Sequence, residues 1–397
     1  MISVAQAQAI CLELAHSVRL ATETLPLAEA AGRTLANPAR ATRAQPPFDA
    51  AAMDGYAVAA DAVAIGARFT VVGESAAGHG WTGTLLPGQA IRIFTGAPVP
   101  SGANAVVIQE DIARDGDRIT LQPDLGTGPN IRPKGTDFGK DHCLSAPRIL
   151  GPADLALLAA MNVGQVTVYR RPTVALLATG DELVMPGAAP KPNQIIASNV
   201  FALKAMIEAA GGSARMMPIA PDNMQALLAA MTAMSVADLQ ITIGGASVGD
   251  HDLVAQAAQT LGVTLSFHKI AMRPGKPLIA GQTARGGPYL GLPGNPVSAI
   301  VCGQLFVLPM IRQMLGQSDV LPRSLPARLT GPLAPNGARA HYMRARCRET
   351  EVGRDVIGFD QQDSSMLSIL AEANCLLLRP PDDAARAIGE MVQIFPF

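Results

Sequence analysis

The sequence predicts a multidomain protein that combines α/β and β architecture: a helical segment, an inserted β-rich module, a doubly wound α/β domain and a small C-terminal β domain. Three observations carry this. Between Thr173 and Ile300 an apolar strand runs three times into a glycine-bearing loop that carries acidic or amide side chains. From about Phe48 to Asp137, short β-type runs are separated by Gly, Pro, Asn and Asp, the spacing of a small all-β unit. Past Pro322 and Pro326, short β-type runs return. The 397 residues suffice for about two to four domains, and with 49% of them apolar a large core is easily supplied.

The elements follow in order. Ser3-Val4-Ala5-Gln6 reads as a capping box that opens an amphipathic helix. Residues 1–45 read as two helix-like stretches around an extended Leu25-Pro26-Leu27. The runs Phe69–Val72, Ala90–Ile93, Ala105–Ile108 and Arg118–Leu121 form the β-rich module. Pro147, Gly151 and Pro152 then punctuate the chain, and Pro152 suits the first position of a helix over Ala153–Met161. After Arg170-Arg171-Pro172, strands and helices alternate as in a doubly wound domain.

Within that domain, Ser198 is expected to cap a helix that stops at Gly211-Gly212. Asp222, with Gln225 three residues on, should cap Asn223–Met234. Asp250 or Asp252 starts a helix through Leu261. Asn295 with Pro296 begins a long helix toward Leu315, which Pro309 should kink. Tyr342–Cys347, Cys375–Leu378 and Val392–Phe395 supply the last β runs. The expected divisions are 1–47 with 138–171 (helical and linking), 48–137 (β-rich), 172–321 (α/β) and 322–397 (C-terminal).

Charge and composition remove several function classes. The formal net charge is −1 and no basic run stands out, so no nucleic-acid partner is expected. The apolar runs are short and broken by Gly or Pro, so no membrane span is expected. The amino terminus shows no basic segment leading into an apolar one, which points to a cytoplasmic protein. Cys11, Cys143, Cys302, Cys347 and Cys375 are scattered and odd in number, which fits reduced thiols rather than a disulfide framework or zinc site.

The chemistry concentrates in the three loops: Thr179-Gly180-Asp181-Glu182, Gly244-Gly245-Ala246-Ser247-Val248-Gly249-Asp250-His251-Asp252 and Pro293-Gly294-Asn295-Pro296. In a parallel α/β sheet such loops leave the carboxyl ends of the strands, where ligands bind. Glycine lets backbone N–H groups approach a phosphate. The acids Glu182, Asp250 and Asp252 suit Mg²⁺, which takes oxygen ligands and bridges phosphates. Turn formation and helix capping are the structural alternatives, strongest for Asp222. Between the second and third loops, Lys269, Arg273 and Lys276 surround Pro274-Gly275, a turn that can clamp an oxyanion or expose a solvated basic surface. Two further segments, Pro46–Ala57 with Asp54 and Arg92–Pro100 with Thr95, are not explained by turn chemistry; a hydrophobic hinge for the first and an edge-strand stop for the second are the structural alternatives.

Together these segments resemble the MoeA-type molybdopterin molybdenumtransferases, the family that includes the E domain of gephyrin. The resemblance spans nearly the whole chain. Its markers are Met53-Asp54-Gly55-Tyr56-Ala57, Thr95-Gly96-Ala97-Pro98-Val99-Pro100, Thr179-Gly180-Asp181-Glu182-Leu183, Gly244-Gly245 with Ser247-Val248-Gly249, Pro274-Gly275-Lys276-Pro277 and Leu292-Pro293-Gly294-Asn295-Pro296-Val297-Ser298. It implies that the α/β domain binds molybdopterin and that the C-terminal domain is a β-barrel. It further implies Mg²⁺-dependent insertion of molybdenum from molybdate into adenylated molybdopterin, with release of AMP. Elongated homodimers would share their active sites, each lying between one α/β domain and the partner's β-rich domain. Contacts with a molybdopterin adenylyltransferase and with recipient molybdoenzymes are implied as well.

By resemblance, Glu182, Asp222 and Asp252 match essential acids, and Asp54, Thr95, Arg132 and Asp137 match functional positions of the β-rich domain. Ser198 and Asn199 match the pterin site, Lys269, Arg273 and Lys276 the basic segment, and Arg344 and Ser364 the C-terminal contribution. The chain departs from the family pattern at Arg273, Ala50-Ala51, Ala197 and Asp363. Two alternatives stand beside this reading. A molybdopterin adenylyltransferase shares the glycine loops but lacks the Asp54 and Thr95 region. A non-catalytic scaffold that keeps the fold would be expected to lose its carboxylates first.

Overall fold

The six-stranded sheet of the α/β domain sets the position of everything else. The computed structural model describes residues 1–245 and 253–397. In space the strands run Ser213–Met216, Thr173–Ala178, Leu239–Ile243, Pro288–Leu292, Ile279–Gln282 and Thr264–Phe267. The first four are mutually parallel, and the last two add antiparallel. Thr173–Ala178, first of these in the chain, lies between the second and third. Its outgoing connection and the next one therefore leave on opposite sides, which creates a switch point at the carboxyl ends.

Both faces of the sheet are covered, so its strands are apolar throughout rather than alternating. Val174 and Leu176 pack with Leu203 and Ile207 of helix Asn199–Ala209. Ala175 and Leu177, on the opposite face, pack with Leu227 and Met231 of helix Met224–Ala233. Leu176 is fully buried; truncating such a side chain to alanine costs about 2–5 kcal/mol.

The long helix after Asn295 is interrupted as Pro309 requires. An α segment Pro296–Cys302 passes through a π segment Gly303–Val307 into Leu308–Met314. Proline cannot donate to the carbonyl four residues back, and the Gln8 amide takes that role, donating to Leu305 O at 3.1 Å. Pro296–Met314 has the length and mean hydropathy (1.4) of a membrane span, contrary to the expectation from broken apolar runs. It is 83% buried, as a core helix.

Residues 1–45 differ from expectation. Helix Val4–His16 is capped by Ser3 and Gln6 acting reciprocally, and its Ala7 and Cys11 join the α/β core. The second helix-like stretch is a single 3₁₀ turn, Leu27–Glu29, followed by the short strands Thr34–Leu35 and Ala39–Arg40. Gly32 at φ +70° and Pro38 break the helix, and Thr34–Leu35 pairs with Arg148–Ile149. Helix Pro152–Ala160 begins at its proline.

The β-rich module is a six-stranded sheet ordered Ala105–Ile108, Gly55–Val58, Gln89–Ile93, Arg68–Ser75, Arg118–Leu121 and Ile112–Asp115. At the carboxyl end of the chain five strands close a barrel. Leu325–Leu329 pairs with both Gly353–Gly358 and Met391–Pro396, and Ala340–Thr350 and Cys375–Arg379 complete the circuit. Closure removes exposed strand edges. Met272–Arg273 pairs with Ala340–His341, which ties the barrel to the α/β domain.

Candidate active site

An open cavity of about 790 Å³ lies where the three glycine loops converge. Its floor is Thr179 and Gly180 after one strand, Gly244 and Gly245 after the next, and Pro293, Gly294 and Asn295 after the third. These strands are neighbours in the sheet, so three loops separated in sequence share one rim. Ser198, Asn199, Glu182 and Asp222 also line the cavity.

The glycines are required by close approach. A methyl on Gly180 (φ +144°) would lie 2.7 Å from the Glu182 carboxyl carbon, so the Glu182 carboxylate folds back over bare backbone. A methyl on Gly244 (φ +100°) would meet Thr179 O at 2.7 Å, and one on Gly245 (φ +61°) would meet Val254 Cβ at 2.9 Å. Thr179 Oγ1 is buried here with no hydrogen-bond partner among the described residues.

Asp222 is not the helix cap that its sequence context suggests. Asn223 caps the helix, its side chain accepting from Ala226 N at 2.9 Å. Asp222 instead lines the cavity, and its backbone N–H donates to Asp181 Oδ1 at 3.0 Å. Burial, and then the charges of Asp181 and Glu182, push the Asp222 carboxyl above the ordinary carboxylate range. Asp181 itself is exposed and does not line the cavity.

The donor set facing the cavity consists of carboxylates and glycine backbone. Oxygen donors of this kind fit a hard cation that keeps part of its water shell, as Mg²⁺ does. Among the described residues no group of three or more His, Cys, Asp or Glu stands close enough to hold a metal. Ser247, Gly249, Asp250 and Asp252 lie outside the described residues.

The other expected residues fall into three places. Lys276 is exposed just before Pro277, which lines the cavity; its carbonyl accepts from Ile270 N (3.1 Å) and Leu278 N (3.0 Å). Lys269 O accepts from Ile2 N at 3.2 Å. Arg273 reaches the barrel, its Nη2 donating to Asn336 Oδ1 at 3.3 Å. Desolvation, then Arg339 and Arg379 nearby, lower its pKa.

Asp54 and Thr95 pair with each other. Asp54 Oδ1 accepts from both Thr95 N and Thr95 Oγ1 at 2.7 Å, and the backbone bond first holds its carboxyl below the usual range. Arg92 braces this turn. It donates to Gly55 O (3.0 Å) and Gln109 Oε1 (2.7 Å), and its guanidinium carbon lies 5.1 Å from the Tyr56 ring centre and 4.6 Å from that of Phe94. Arg132 pairs across from Ala50, and Asp137 N donates to Gln45 O at 3.0 Å. None of these β-module residues lines the cavity of the same chain.

From the barrel, Ser364 Oγ accepts from Asn295 Nδ2 at 3.1 Å. Arg344, expected to contribute from the C-terminal domain, does not line the cavity. It is 1% exposed, and Nη1 donates to Asp363 O at 2.7 Å. Sequence reasoning also missed Ser365, Leu367 and the wall of Ile195 and Ile196. The only trace of that wall in the sequence is an apolar pair set between Asn193 and Ser198.

The departures from the family pattern are accommodated by packing. Ala50 and Ala51 are buried where their strand pairs with Ile131–Arg132. Ala197 is buried with its backbone N–H bonded to Val184 O at 2.9 Å. Asp363 Oδ1 accepts from Ser365 N (2.8 Å) and Ser365 Oγ (2.5 Å), forming its own turn beside Ser364.

Comparison with known proteins agrees with this architecture along the chain. Residues 2–162 match the model of the MoeA N-terminal region (domain I and II), 175–313 that of a probable molybdopterin binding domain, and 326–397 that of the MoeA C-terminal region (domain IV). A molybdopterin molybdenumtransferase of Haemophilus influenzae is 35% identical over 95% of this chain and 94% of its own. Molybdopterin molybdenumtransferase 2 of Mycobacterium tuberculosis is 35% identical over 100% of this chain and 99% of its own. The crystal structure of a molybdopterin biosynthesis MoeA protein from Pyrococcus horikoshii superposes with a TM-score of 0.84 at 30% identity, covering 100% of this chain and 99% of that one. The chain therefore belongs to the MoeA family of molybdopterin molybdenumtransferases.

Proposed function

We propose that this enzyme of molybdenum cofactor biosynthesis inserts molybdenum from molybdate into adenylated molybdopterin and releases AMP. The observation that carries this reading is the convergence of three glycine loops on one cavity of about 790 Å³ lined by Glu182 and Asp222. Its volume suits a ligand larger than a mononucleotide. Bare glycine backbone suits the pyrophosphate linkage, and Lys276 beside the rim suits an oxyanion.

In the proposed reaction a water oxygen attacks the phosphoanhydride phosphorus and AMP departs, while the two dithiolene thiols bond molybdenum in place of one molybdate oxygen, which leaves as water with the two thiol protons. Ser198 and Asn199 hold the pterin end. Glu182, with Asp250 and Asp252, would hold Mg²⁺, which when bound supplies neutralisation of charge on the departing phosphate, and Asp222 is a further acid of the site. The chain's own part is to orient the two reactants and exclude water from the dithiolene.

The functional unit proposed is a cytoplasmic homodimer. Asp54, half-buried, and Thr95, exposed, pair with each other and do not line their own chain's cavity. Supplied by a second copy, they would complete each site. The test is incubation of the purified protein with adenylated molybdopterin, Mg²⁺ and molybdate, following AMP by chromatography. AMP release that depends on molybdate supports the reading; no release above a protein-free control overturns it.

A further inference from the structure

We propose that Gln362 is a positioning residue for the cavity: with buried Arg344 it fixes the 359–366 turn of the barrel so that Ser364 and Ser365 stand against the third glycine loop. This rests on the reading of the cavity as the molybdopterin site. A guanidinium buried to 1% exposure needs its donors satisfied, and here one turn of chain satisfies them. Arg344 N and Nε both donate to Gln362 Oε1, at 3.0 and 3.2 Å. Its Nη1 donates to Asp363 O at 2.7 Å and its Nη2 to Gln361 O at 3.4 Å. Gln362 Nε2 returns two bonds, to Arg344 O at 3.0 Å and Phe359 O at 2.8 Å. The amide is therefore used at both ends, and the turn cannot rotate without leaving a buried charge unpaired.

The consequence is felt at the cavity. Ser364 Oγ accepts from Asn295 Nδ2 (3.1 Å) and Ser364 O from Val297 N (3.1 Å), so the turn grips the third glycine loop and the start of its helix. From the other side Asn199 Nδ2 donates to Gly294 O at 2.7 Å. The loop is thus held between the α/β domain and the barrel, and Ser365 becomes part of the cavity wall. Arg344 then acts through the turn, and Gln362 is what aims it.

The test is calorimetric titration of molybdopterin into the full-length chain, well below the melting temperature of each variant. Gln362→Met keeps length and removes both polar ends; it should weaken binding roughly tenfold. Gln362→Glu keeps the acceptor for Arg344 and should recover most of that loss. Adding Ser364→Ala to Gln362→Met should weaken binding little further, because the two act on one contact. Wild-type affinity in folded Gln362→Met overturns the inference, whatever happens to its stability. Should that variant not fold, Ser364→Ala, which removes only the rim contact, is read in the same way. Absence of binding by the wild-type chain would instead remove the cavity reading itself, and this inference with it.

Discussion

Replacing Gly180 by alanine puts a methyl group where the Glu182 carboxylate now folds back. The added carbon would lie 2.7 Å from the Glu182 carboxyl carbon and nearer still to Oε2, whereas ordinary contact begins at 3.4 Å, so the carboxylate must withdraw by roughly 1 Å. The side chain is flexible, so this movement itself costs little stability. The backbone costs more: φ at Gly180 is +144°, a region that only glycine occupies without strain, and the penalty is about 1–3 kcal/mol. Displacing a reacting group by such a distance typically costs about 10–100-fold in rate. Gly180→Ala should therefore lower the melting temperature by several degrees and cut molybdate-dependent AMP release by one to two decades. The assay pairs calorimetry with chromatographic AMP detection at saturating substrate. In a Glu182→Gln background the same alanine should reduce the rate little further. Wild-type turnover in Gly180→Ala, or a full extra loss in the double variant, would refute the link between this glycine and Glu182.

Three other outcomes are expected. Burial and like charge raise the Asp222 pKa, so its stability contribution is full below the ordinary carboxylate value and is lost as pH rises through the raised native value. Asp222→Asn should therefore melt higher than wild type at neutral pH, with the gap closing as pH falls toward about 4; a pH-independent gap counts against this account. Lys276→Ala should weaken molybdate or substrate binding, and added salt should weaken it in wild type, because Lys276 is exposed beside the rim; unchanged calorimetric affinity for both ligands sinks the anion role. Mixing Asp54→Asn with Glu182→Gln chains after reversible dissociation should restore activity, since each mixed dimer would hold one site without either lesion. Verified subunit exchange without recovery contradicts shared sites.

Much of this was legible in the sequence where local and global preferences agree. Thr173–Ala178 and Leu239–Ile243 are uninterrupted apolar runs closed by glycine, and a strand covered on both faces leaves that pattern. Ser3 with Gln6 declares its helix because a capping box is a local device. The stretch after Leu27 misleads because alanine-rich sequence favours helix, while pairing of Thr34–Leu35 with distant Arg148–Ile149 decides the outcome. Asp222 misleads in another way: the neighbouring Asn223 caps equally well, and choosing it frees Asp222 for the cavity. The burial of Arg344 was not legible, because only barrel closure shows that its donors turn inward. The three glycine loops and their common edge were legible, because a parallel α/β sheet puts such loops at the carboxyl ends of its strands; the strand order that makes them neighbours was not, since no local pattern encodes it.

The claim that this cavity couples AMP departure to molybdenum insertion is tested most directly by counting both products in one reaction. Purified enzyme, adenylated molybdopterin, Mg²⁺ and molybdate are mixed, AMP is measured by chromatography and pterin-bound molybdenum by mass spectrometry. The account predicts one AMP released per molybdenum inserted by wild type, and both falling together in Glu182→Gln. Equal molybdenum insertion in wild type and Glu182→Gln, or AMP release with no molybdenum on the pterin, would contradict it.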